Sequence, residues 1–276
     1  MPNQPFSVLM SVYNNENPSY FLEALDSCLK QTILPDEIVL VKDGPLKNGL
    51  ENVIKKYNLR FANKLKVIPL KHNVGLGEAL RIGLEACSHE IIARTDSDDI
   101  NMPDRFRIQL RLLQEHQDIH VVGSWIAEFE NSPQDSRYIR KVPLAHSEIE
   151  KKAIYRNPMN HMSVMFKKNA VLYAGNYISF LWFEDYYLWA RMLMKGFRFA
   201  NIPEVLVKVR ADKKMLLRRT GLRYLKSELN LQFQFLKMGF ISQSAFVFNI
   251  IIRSIVRIIP GYLRRIVYKK VFRDTQ

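Results

Sequence analysis

The chain is poor in cysteine and has no basic, apolar leader. Its two cysteines, Cys28 and Cys87, lack the spacing of a disulfide framework or a zinc site, a pattern typical of a reducing compartment. The first residues, MPNQPFSVLMSVYNNE, have no basic start, and their apolar run is short for a signal peptide. No internal repeat or low-complexity linker is present. We therefore expect a globular, cytoplasmic protein.

Charge is nearly balanced except at the C-terminal end. Residues 207–276 contain 16 Lys or Arg and three acidic residues, whereas residues 1–206 contain 25 and 24. Apolar residues make up 47% of the 276 residues, which is typical of a chain that buries a core and argues against disorder. We expect a body at 1–212 that folds as one large domain and a basic helical tail at 213–276.

The first hundred residues alternate short apolar runs with amphipathic patterns. Ser19 is the expected N-cap of the first helix. The strands are apolar throughout, which indicates a mostly parallel sheet with helices on both faces. We predict an α/β, doubly wound fold, in which ligands bind beyond the carboxyl ends of the strands. The predicted strands are 7–13, 37–43, 65–70 and 90–96, and the predicted helices are 19–32, 48–59 and 75–87.

Beyond residue 100 the order of elements changes. The predicted helix at 184–196 should end at Gly196. The tail should be helical in two pieces that separate near Met238 and Gly239. Residues 131–137 are a polar stretch that predicts a loop. The other predictions are helices at 103–116 and 184–196 and strands at 121–129 and 162–166.

An acidic cluster, Asp96-Ser97-Asp98-Asp99, ends the fourth predicted strand. Three carboxylates in four residues repel one another and are best tolerated around a cation. Their oxygens are hard ligands that suit Mg²⁺ or Mn²⁺ bridging a diphosphate. The alternative is a solvated acidic turn in which Asp99 or Asn101 caps the next helix, which leaves Asp96 and Asp98 unexplained.

Two further groups follow predicted strands. Asp43 closes the second strand and could accept hydrogen bonds from a base or ribose, although an ordinary Asp-Gly turn is the alternative. Asn73, Gly75 and Gly77 follow the third strand and open a helix. Glycines permit close approach of the backbone, and helix N-termini favour phosphate; the alternative is a plain turn before a helix.

A second acidic pair, Glu184-Asp185, opens an aromatic-rich helix. A carboxylate there could act as a general base, or it could simply stabilise the helix dipole. Trp182 and its aromatic neighbours should mostly pack in the core, with one stacking on a sugar. His161 could line the site or be a structural histidine. Arg210 could neutralise the negative charge of a diphosphate, or it could belong only to the basic tail.

In this order, the motifs resemble the family 2 glycosyltransferases, which have the GT-A fold. The resemblance covers residues 6–210, and the bacterial members that extend O-antigen or exopolysaccharide units on a lipid carrier are the most similar. It is carried by SVLMSVYNNE, IVLVKDG, HNVGLGEALRIGL, ARTDSDDINMPDRF, NPMNHMSVMFK and FEDYYLWARMLMKGFRFANIPEVLVKVR. Ordered co-occurrence makes it far more specific than any single motif.

The resemblance implies a reaction and its partners. An inverting transfer would move a hexose or N-acetylhexosamine from a nucleotide-sugar, with UDP ahead of GDP and dTDP, to a lipid-linked (polyprenyl diphosphate) saccharide. Mn²⁺ or Mg²⁺ would be the cofactor. Residues 1–100 would form the nucleotide-binding half and residues 101–212 the acceptor half. The QxxRW motif and membrane spans of processive relatives are missing from the sequence, which favours single addition.

The resemblance also implies residue roles. Asp98 would ligate the metal, Asp185 would be the catalytic base, and Glu184 would be its neighbour at the acceptor. Many members have two acids before the glycine at the second strand, whereas Lys42 precedes Asp43 in this chain, so base recognition would differ in detail. Asp99 would support Asp98 nearby, and His161 and Trp182 would be further residues at the acceptor or elsewhere in the site. The donor would contact Val12, Tyr13, Asn14, Glu16, Asp43, Asn73, Gly75, Gly77, Arg81, Asp96, Ser97 and Arg210.

Basic residues alternate with large aliphatic residues in the tail, and they interrupt any membrane span. This mixture predicts helices in an anionic membrane interface, and hence peripheral association with the inner face of the cell membrane. A helix pair packed on the body is the alternative, and nucleic acid is not an expected partner. The basic residues are Arg253, Arg257, Arg264, Arg265, Lys269 and Lys270.

Two other function classes remain open at this point. A sugar nucleotidylyltransferase would be expected to carry a glycine-rich basic loop after the first strand, where this chain has Tyr13-Asn14-Asn15-Glu16. A non-catalytic lipid- or glycan-binding relative would not need Asp98 and Asp185 together. A retaining transferase is also open, because stereochemistry rests on the resemblance.

Overall fold

Strands and helices alternate through the first half of the chain, as the sequence predicts. The computed structural model describes residues 4–61, 63–130, 132–136, 138–211, 221–258 and 274–275. Each predicted strand and helix of this half is confirmed with ends shifted by three residues or fewer. The elements are β1 Phe6–Tyr13, α1 Pro18–Leu29, β2 Glu37–Asp43, α2 Asn48–Phe61, β3 Leu65–Pro69, α3 Leu76–Ala86 and β4 Ile91–Arg94.

The second half contains several elements that the sequence did not indicate. Its elements are β5 Ile100–Asn101, α4 Arg105–Glu115, β6 Ile119–Phe129, β7 Tyr138–Arg140, α5 His146–Ala153, β8 Met165–Lys167, α6 Lys168–Tyr173, α7 Glu184–Met194, β9 Arg198–Arg210, α8 Leu222–Lys237, α9 Gln243–Ile258 and β10 Asp274–Thr275. Two 3₁₀ turns lie at Pro133–Asp135 and His161–Ser163. The long strand β9 and the short elements β5, β7, α5 and α6 are among those without a counterpart in the sequence prediction.

A mixed sheet joins the two halves, with strand order β10-β7-β6-β8-β4-β1-β2-β3. The pairs β1–β2, β1–β4 and β2–β3 are parallel, and β8 joins β4 to β6 in antiparallel fashion. β9 runs parallel to β6 and also pairs with β5. The predicted α/β architecture with a mostly parallel sheet flanked by helices is confirmed. Tyr13 pairs with Asp43 at the carboxyl ends of β1 and β2, so the two loops that follow these strands leave the sheet together.

Successive residues of the central strand serve two different cores. Val8 and Met10 pack with α1, α2 and α4, whereas Leu9 packs with α3 and α7 on the other face. All three side chains are fully buried. Burying such a side chain contributes about 1.5–3 kcal/mol, and both faces of the strand gain it. This explains why the strand is a continuous apolar run rather than an alternating pattern.

Helix α1 and strand β8 begin at positions other than those predicted. The N-cap of α1 is Asn17, whose Oδ1 accepts the Ser19 backbone N–H at 2.9 Å, so the prediction of Ser19 as the cap is wrong. Pro18 follows at the first helical position, where its missing N–H costs nothing. β8 begins at Met165, because the preceding residues form a 3₁₀ turn instead of the predicted extended strand.

Neither Asp99 nor Asn101 caps α4. The N-cap position is Asp104, without a side-chain capping bond. Asp99 instead accepts the backbone N–H of Arg210 at 3.1 Å, and Asn101 donates its Nδ2 to Ser27 Oγ at 3.0 Å in the core. Gly196 follows α7 with φ of 79°, which confirms its predicted role in ending that helix.

The described part of the tail packs on the body. Tyr224, Leu231 and Phe235 of α8 share an apolar cluster with Phe183 and Tyr186 at the start of α7. The predicted break in the tail is confirmed, because α8 ends at Lys237 and α9 begins at Gln243. The side chains of residues 255–276, which include all the predicted basic residues of the tail except Arg253, lie outside the described part of the structure. No helix in the described ranges is long and apolar enough to cross a membrane.

Candidate active site

Three carboxylates converge after β4. Asp96, Asp98 and Asp99 each offer an oxygen within 4.8 Å of the others. Burial raises the pKa of Asp98 to about 7, and the charges of Asp96 and Glu16 raise it further. Burial and the charges of Asp98 and Asp96 also raise the pKa of Asp99. A divalent cation would remove this mutual repulsion, and hard carboxylate oxygens are the donors that Mg²⁺ and Mn²⁺ prefer, so the residues fit such an ion.

The loop after β1 meets this acidic cluster. Ser97 donates its hydroxyl to Glu16 Oε2 at 2.9 Å, and the other oxygen of Glu16 accepts the backbone N–H of Asn17 at 2.7 Å. Val12 is buried at the end of β1, whereas Tyr13 and Asn14 are exposed beyond it. The structure therefore brings together the predicted donor residues of the first loop and those of the acidic cluster, at the carboxyl edge of the sheet.

Asp43 organises the loop between β3 and α3. One of its oxygens accepts the Val74 backbone N–H at 2.7 Å. The other accepts Asn73 Nδ2 at 2.9 Å and the Gly75 N–H at 3.2 Å. Gly75 has φ of 86°, a conformation that favours glycine. The carboxylate thus fixes the predicted phosphate loop, and its contact with a base or ribose stays a prediction.

Helix α3 touches the segment that leads to the acidic pair. A Cβ atom placed on Gly77 would lie 3.1 Å from the Ile178 carbonyl oxygen and 3.2 Å from Glu184 Cβ. A larger residue would therefore press against the segment at 178–184 that leads into α7. Further along α3, Arg81 is paired with Glu78 at 2.7 Å and Glu85 at 2.8 Å, so its predicted donor contact would require it to exchange partners.

Asp185 lies in the first turn of α7 with both oxygens engaged. Oδ1 accepts the Tyr186 backbone N–H at 2.7 Å, and Oδ2 accepts Asn157 Nδ2 at 2.6 Å. Burial raises the pKa of Asp185, and these hydrogen bonds oppose the shift. Burial, with the charge of Asp185, raises the pKa of Glu184 to about 7. The helix therefore begins with two half-buried acids whose pKa values are raised.

A buried arginine interacts with both acidic groups. Arg94 is 2% exposed and donates to Asp96, while its Nε and Nη1 have no hydrogen-bond partner among the described residues. Its charge also lowers the pKa of Glu184 and Asp185. Since such electrostatic effects require proximity, Arg94 lies close both to the carboxylates that follow β4 and to the acidic pair.

The sequence matches a known protein family over more than half of its length. Residues 7–176 match the profile described as "Glycosyl transferase family 2". The chain belongs to this family. The predictions of a family 2 glycosyltransferase and of an enzyme are confirmed.

Two bacterial relatives match this glycosyltransferase along nearly its whole length. It is 41% identical over 268 residues to the "UDP-Gal:alpha-D-GlcNAc-diphosphoundecaprenol beta-1,3-galactosyltransferase" of Escherichia coli, covering 97% of this chain and 96% of that protein. It is 39% identical over 270 residues to the amylovoran biosynthesis glycosyltransferase AmsE of Erwinia amylovora, covering 96% of this chain and 98% of AmsE.

Solved structures confirm the GT-A fold. S. aureus TarS 1-349 in complex with UDP-GlcNAc matches with a TM-score of 0.65 and 17% identity, over 84% of this chain and 67% of that one. The chain spans 40% of a longer TarS structure. The mannosyltransferase PcManGT of Pyrobaculum calidifontis, in complex with GDP-Man and Mn²⁺, matches with a TM-score of 0.65 and 17% identity, over 86% and 65% of the two chains.

His161 of this glycosyltransferase is buried, with 8% of its surface exposed. Its Nε2 is 2.9 Å from Tyr177 Oη, and its ring meets Trp189 edge-on at 6.0 Å between centroids. Burial lowers the pKa of His161 well below the usual range, with help from Arg94, so the ring is neutral. These contacts match the structural alternative for His161.

Arg210 and Trp182 border the site. The Arg210 guanidinium pairs with Glu23 at 2.8 Å and stacks over the Tyr20 ring at 3.6 Å, while its backbone N–H donates to Asp99. Trp182 has φ of 69°, which is unusual for a residue with a side chain and is often found at functional sites. Its ring packs on Tyr224 of α8 at 5.1 Å between centroids.

Sequence reasoning missed two residues of this site. Arg94 is the one charged residue of the apolar strand β4, and a cation directly before an acidic cluster was a usable signal. Asn157 lies inside the motif RNPMNH, but nothing local in the sequence points to Asp185, which is 28 residues away. Only the fold brings these two residues together.

Proposed function

We propose that this glycosyltransferase transfers a hexose, with galactose as first choice, from a UDP-sugar to a lipid-linked saccharide with inversion. The convergence of Asp96, Asp98 and Asp99, electrostatically linked to Glu184 and Asp185, carries the proposal. Transfer of a sugar from a nucleotide-sugar needs one set of acids to hold a cation at the donor diphosphate. It needs another acid to take the proton of the acceptor hydroxyl. The Escherichia coli relative supports galactose, UDP and a polyprenyl diphosphate acceptor through its name.

Asp98 would ligate Mn²⁺ or Mg²⁺, with Asp96 and Asp99 supporting it. When bound, the ion would offset the negative charge of the departing nucleoside diphosphate. Asp99 is already oriented by the Arg210 backbone N–H, and Ser97 is tied to Glu16. The protein thus presents its oxygens to the ion with little freedom to rearrange, which is what electrostatic preorganisation requires.

Asp185 would be the base of a single displacement. It takes the proton of the acceptor hydroxyl while that oxygen bonds to the anomeric carbon and the bond from this carbon to the diphosphate oxygen breaks. The attack comes from the face opposite the leaving group, so the anomeric configuration inverts. Glu184, with its pKa raised to about 7, is partly protonated at neutral pH and can hydrogen-bond to the acceptor.

The donor nucleotide would lie over the carboxyl ends of β1, β2 and β3. Tyr13 and Asn14 are exposed there, and Asp43 holds the glycine-containing loop that follows β3. Ligands of open α/β sheets bind at this edge. These positions support donor roles for the loop after β1 and for the loop at 73–77.

A donor panel tests the proposal. Purified enzyme would be given UDP-, GDP- and dTDP-sugars with a synthetic polyprenyl diphosphate-linked GlcNAc, with Mn²⁺ or Mg²⁺, with and without EDTA. We expect release of UDP and a new disaccharide from UDP-galactose, inverted at the anomeric carbon by NMR. Transfer that is insensitive to EDTA, or retention of configuration, would contradict the mechanism. Donor binding without transfer to any acceptor would indicate a non-catalytic relative.

The exposed face of α9 would dock the enzyme on an anionic bilayer. Val247, Phe248, Ile251 and Ile252 lie on one face and are 45–54% exposed. The opposite face holds the helix on the body through Asn249, which donates to Gln232 and Ile154. An apolar face followed in the sequence by basic residues suits an interfacial helix, and a lipid-linked acceptor would make such docking useful.

Vesicle flotation tests this docking. Phe248→Glu with Ile251→Glu should abolish binding to vesicles of phosphatidylglycerol and phosphatidylcholine, while binding to phosphatidylcholine alone should be weak for every variant. Leu59→Glu is the matched control, because Leu59 is 89% exposed on α2, away from the tail. Unchanged flotation of the double variant would refute a role for this face.

A further inference from the structure

Asp185 is held by a side chain from a separate part of the sequence. Asn157, between α5 and β8, donates Nδ2 to Asp185 Oδ2 at 2.6 Å, while Oδ1 accepts the Tyr186 backbone N–H at 2.7 Å. The two donors approach different oxygens and so fix the plane of the carboxylate. Each oxygen has a second lone pair, so the group can still accept a proton.

The Asn157 amide has one orientation that satisfies its neighbours. Its Oδ1 accepts the Met159 backbone N–H at 3.2 Å, which leaves Nδ2 as the atom that faces Asp185. A flipped amide would place two acceptor oxygens against each other and an NH₂ group against an N–H, so both hydrogen bonds would be lost. Asn157 is therefore a fixed donor toward Asp185.

The segment that carries Asn157 is itself anchored. Asn249 of α9 donates to the Ile154 carbonyl at 2.9 Å, and Arg253 donates to the Tyr155 carbonyl at 2.7 Å. Pro158, the residue directly after Asn157, is buried, and its ring restricts its φ angle. Support of this kind, from residues that are themselves locked, is what precise positioning of a reactive group requires.

We propose that Asn157 is a positioning residue, which holds the Asp185 carboxylate in the orientation that receives the acceptor's proton. The inference rests on the proposed role of Asp185 as base. Asn157 thus joins Glu184 and Asp185 at this part of the site. Its physical role is that of the group that orients the base in other acid–base catalysts.

The same contact affects protonation of the base. Burial raises the pKa of Asp185, and the hydrogen bond from Asn157 lowers it. Without that bond the pKa of Asp185 would rise, so the carboxyl would stay protonated to higher pH and the acid limb of the rate profile would move upward. The other titratable or charged groups that interact with Asp185 are Arg94, Arg140, Tyr177, Glu184 and Tyr186.

The experiment uses the full chain with Mn²⁺ and compares Asn157→Asp and Asn157→Ala with wild type. Asn157→Asp keeps the shape of the side chain but replaces the donor with an acceptor, so it serves even where the alanine variant folds poorly. Asn230→Ala is the control, because Asn230 is exposed on α8. Readouts are kcat and acceptor KM across about pH 5–9, and donor affinity by calorimetry.

We expect kcat of Asn157→Ala to fall roughly 10- to 100-fold, as is typical when a supporting contact to a reactive group is lost. The apparent pKa of the acid limb of the pH–rate profile should rise by about one pH unit in Asn157→Ala. It should rise further in Asn157→Asp, where a like charge adjoins the base. Donor affinity and the acceptor KM should change little, and Asn230→Ala should match wild type.

Two results would overturn the inference. Wild-type kcat and pH profile in both Asn157 variants would show that the contact is only structural. A raised acceptor KM with unchanged kcat and acid limb would mean that Asn157 binds the acceptor instead. Asp185→Asn, measured in parallel, separates the cases: if it keeps full transfer, the proposed base fails, whereas a dead Asp185→Asn with normal Asn157 variants removes only the positioning role.

Discussion

Replacing Gly77 by alanine adds one methyl group where α3 approaches the segment leading into α7. The new carbon would lie 3.1 Å from the Ile178 carbonyl oxygen, 3.2 Å from Ser179 Cα and 3.2 Å from Glu184 Cβ. Since comfortable carbon contacts begin near 3.5 Å, the segment must move by about 0.3–0.5 Å. A misplacement of 1 Å in an active site can cost about 100-fold, so we expect roughly a tenfold fall in kcat/KM.

The stability of this variant should change little. Gly77 lies in the first turn of α3, where alanine is better than glycine by at most the roughly 0.5–1 kcal/mol of a helix interior, and this gain offsets part of the strain. Gly83 on the same helix is the matched control. A Cβ there would lie 2.5 Å from Leu9 Cδ1 and 2.7 Å from Val41 Cγ2, in the core. Gly83→Ala should therefore lower Tm by several degrees, through about 1–3 kcal/mol of overpacking, with kcat/KM near wild type.

Initial rates of sugar transfer and thermal melting of the two variants form the assay. The reasoning predicts opposite profiles: Gly77→Ala loses rate but not Tm, and Gly83→Ala loses Tm but not rate. Wild-type kcat/KM in Gly77→Ala, or a parallel loss of rate and Tm in both variants, would refute the claim that close approach at Gly77 sets the geometry of the site.

Two further predictions concern charge. Asp98→Asn should raise the Mn²⁺ concentration for half-maximal activity at least about tenfold and reduce thermal stabilisation by Mn²⁺; an unchanged metal titration would remove Asp98 as the ligand. For Glu184 the folded-state pKa, about 7, lies above the usual 4.5, so the native state keeps a proton that the unfolded state releases. The free energy of unfolding without metal should therefore fall as pH rises between these values, by roughly 1–3 kcal/mol, and level off above. Urea denaturation of wild type and Glu184→Gln measures this, and an equal pH dependence in both would contradict it.

Local patterns were sufficient for the first half of the fold because β1, β2 and β4 are buried along nearly their whole length, so they read as apolar runs. Apolar runs bounded by glycine, proline and capping residues predicted β1 to β4 and α1 to α3. β9 was missed because its sequence, RFANIPEVLVKVR, contains a proline and has charged residues among its apolar ones. Its pairing with β6 is set by the fold rather than by local propensity. The first cap was misassigned because Asn17 and Ser19 are both good capping residues, and only the position of Pro18 decides between them.

The site could be predicted where reactive residues are adjacent in sequence. Asp96, Asp98 and Asp99, and the pair Glu184-Asp185, form such groups, and the structure links them. Contacts between distant segments could not be predicted. Asp43 holds the glycine loop that follows β3, and Asn157 donates to Asp185, which is 28 residues away in the sequence. These arrangements depend on side-chain geometry that sequence spacing alone does not fix.

The loss of the Asp185 carboxylate tests the central claim most directly. Asp185→Asn keeps the size of the side chain and removes its ability to take a proton. Transfer from UDP-galactose to the lipid-linked acceptor in the presence of Mn²⁺ should fall by about 100- to 10,000-fold, while UDP-galactose affinity measured by calorimetry stays within about threefold of wild type. Transfer by Asp185→Asn at close to the wild-type rate would contradict the account and move the search for the base to Glu184.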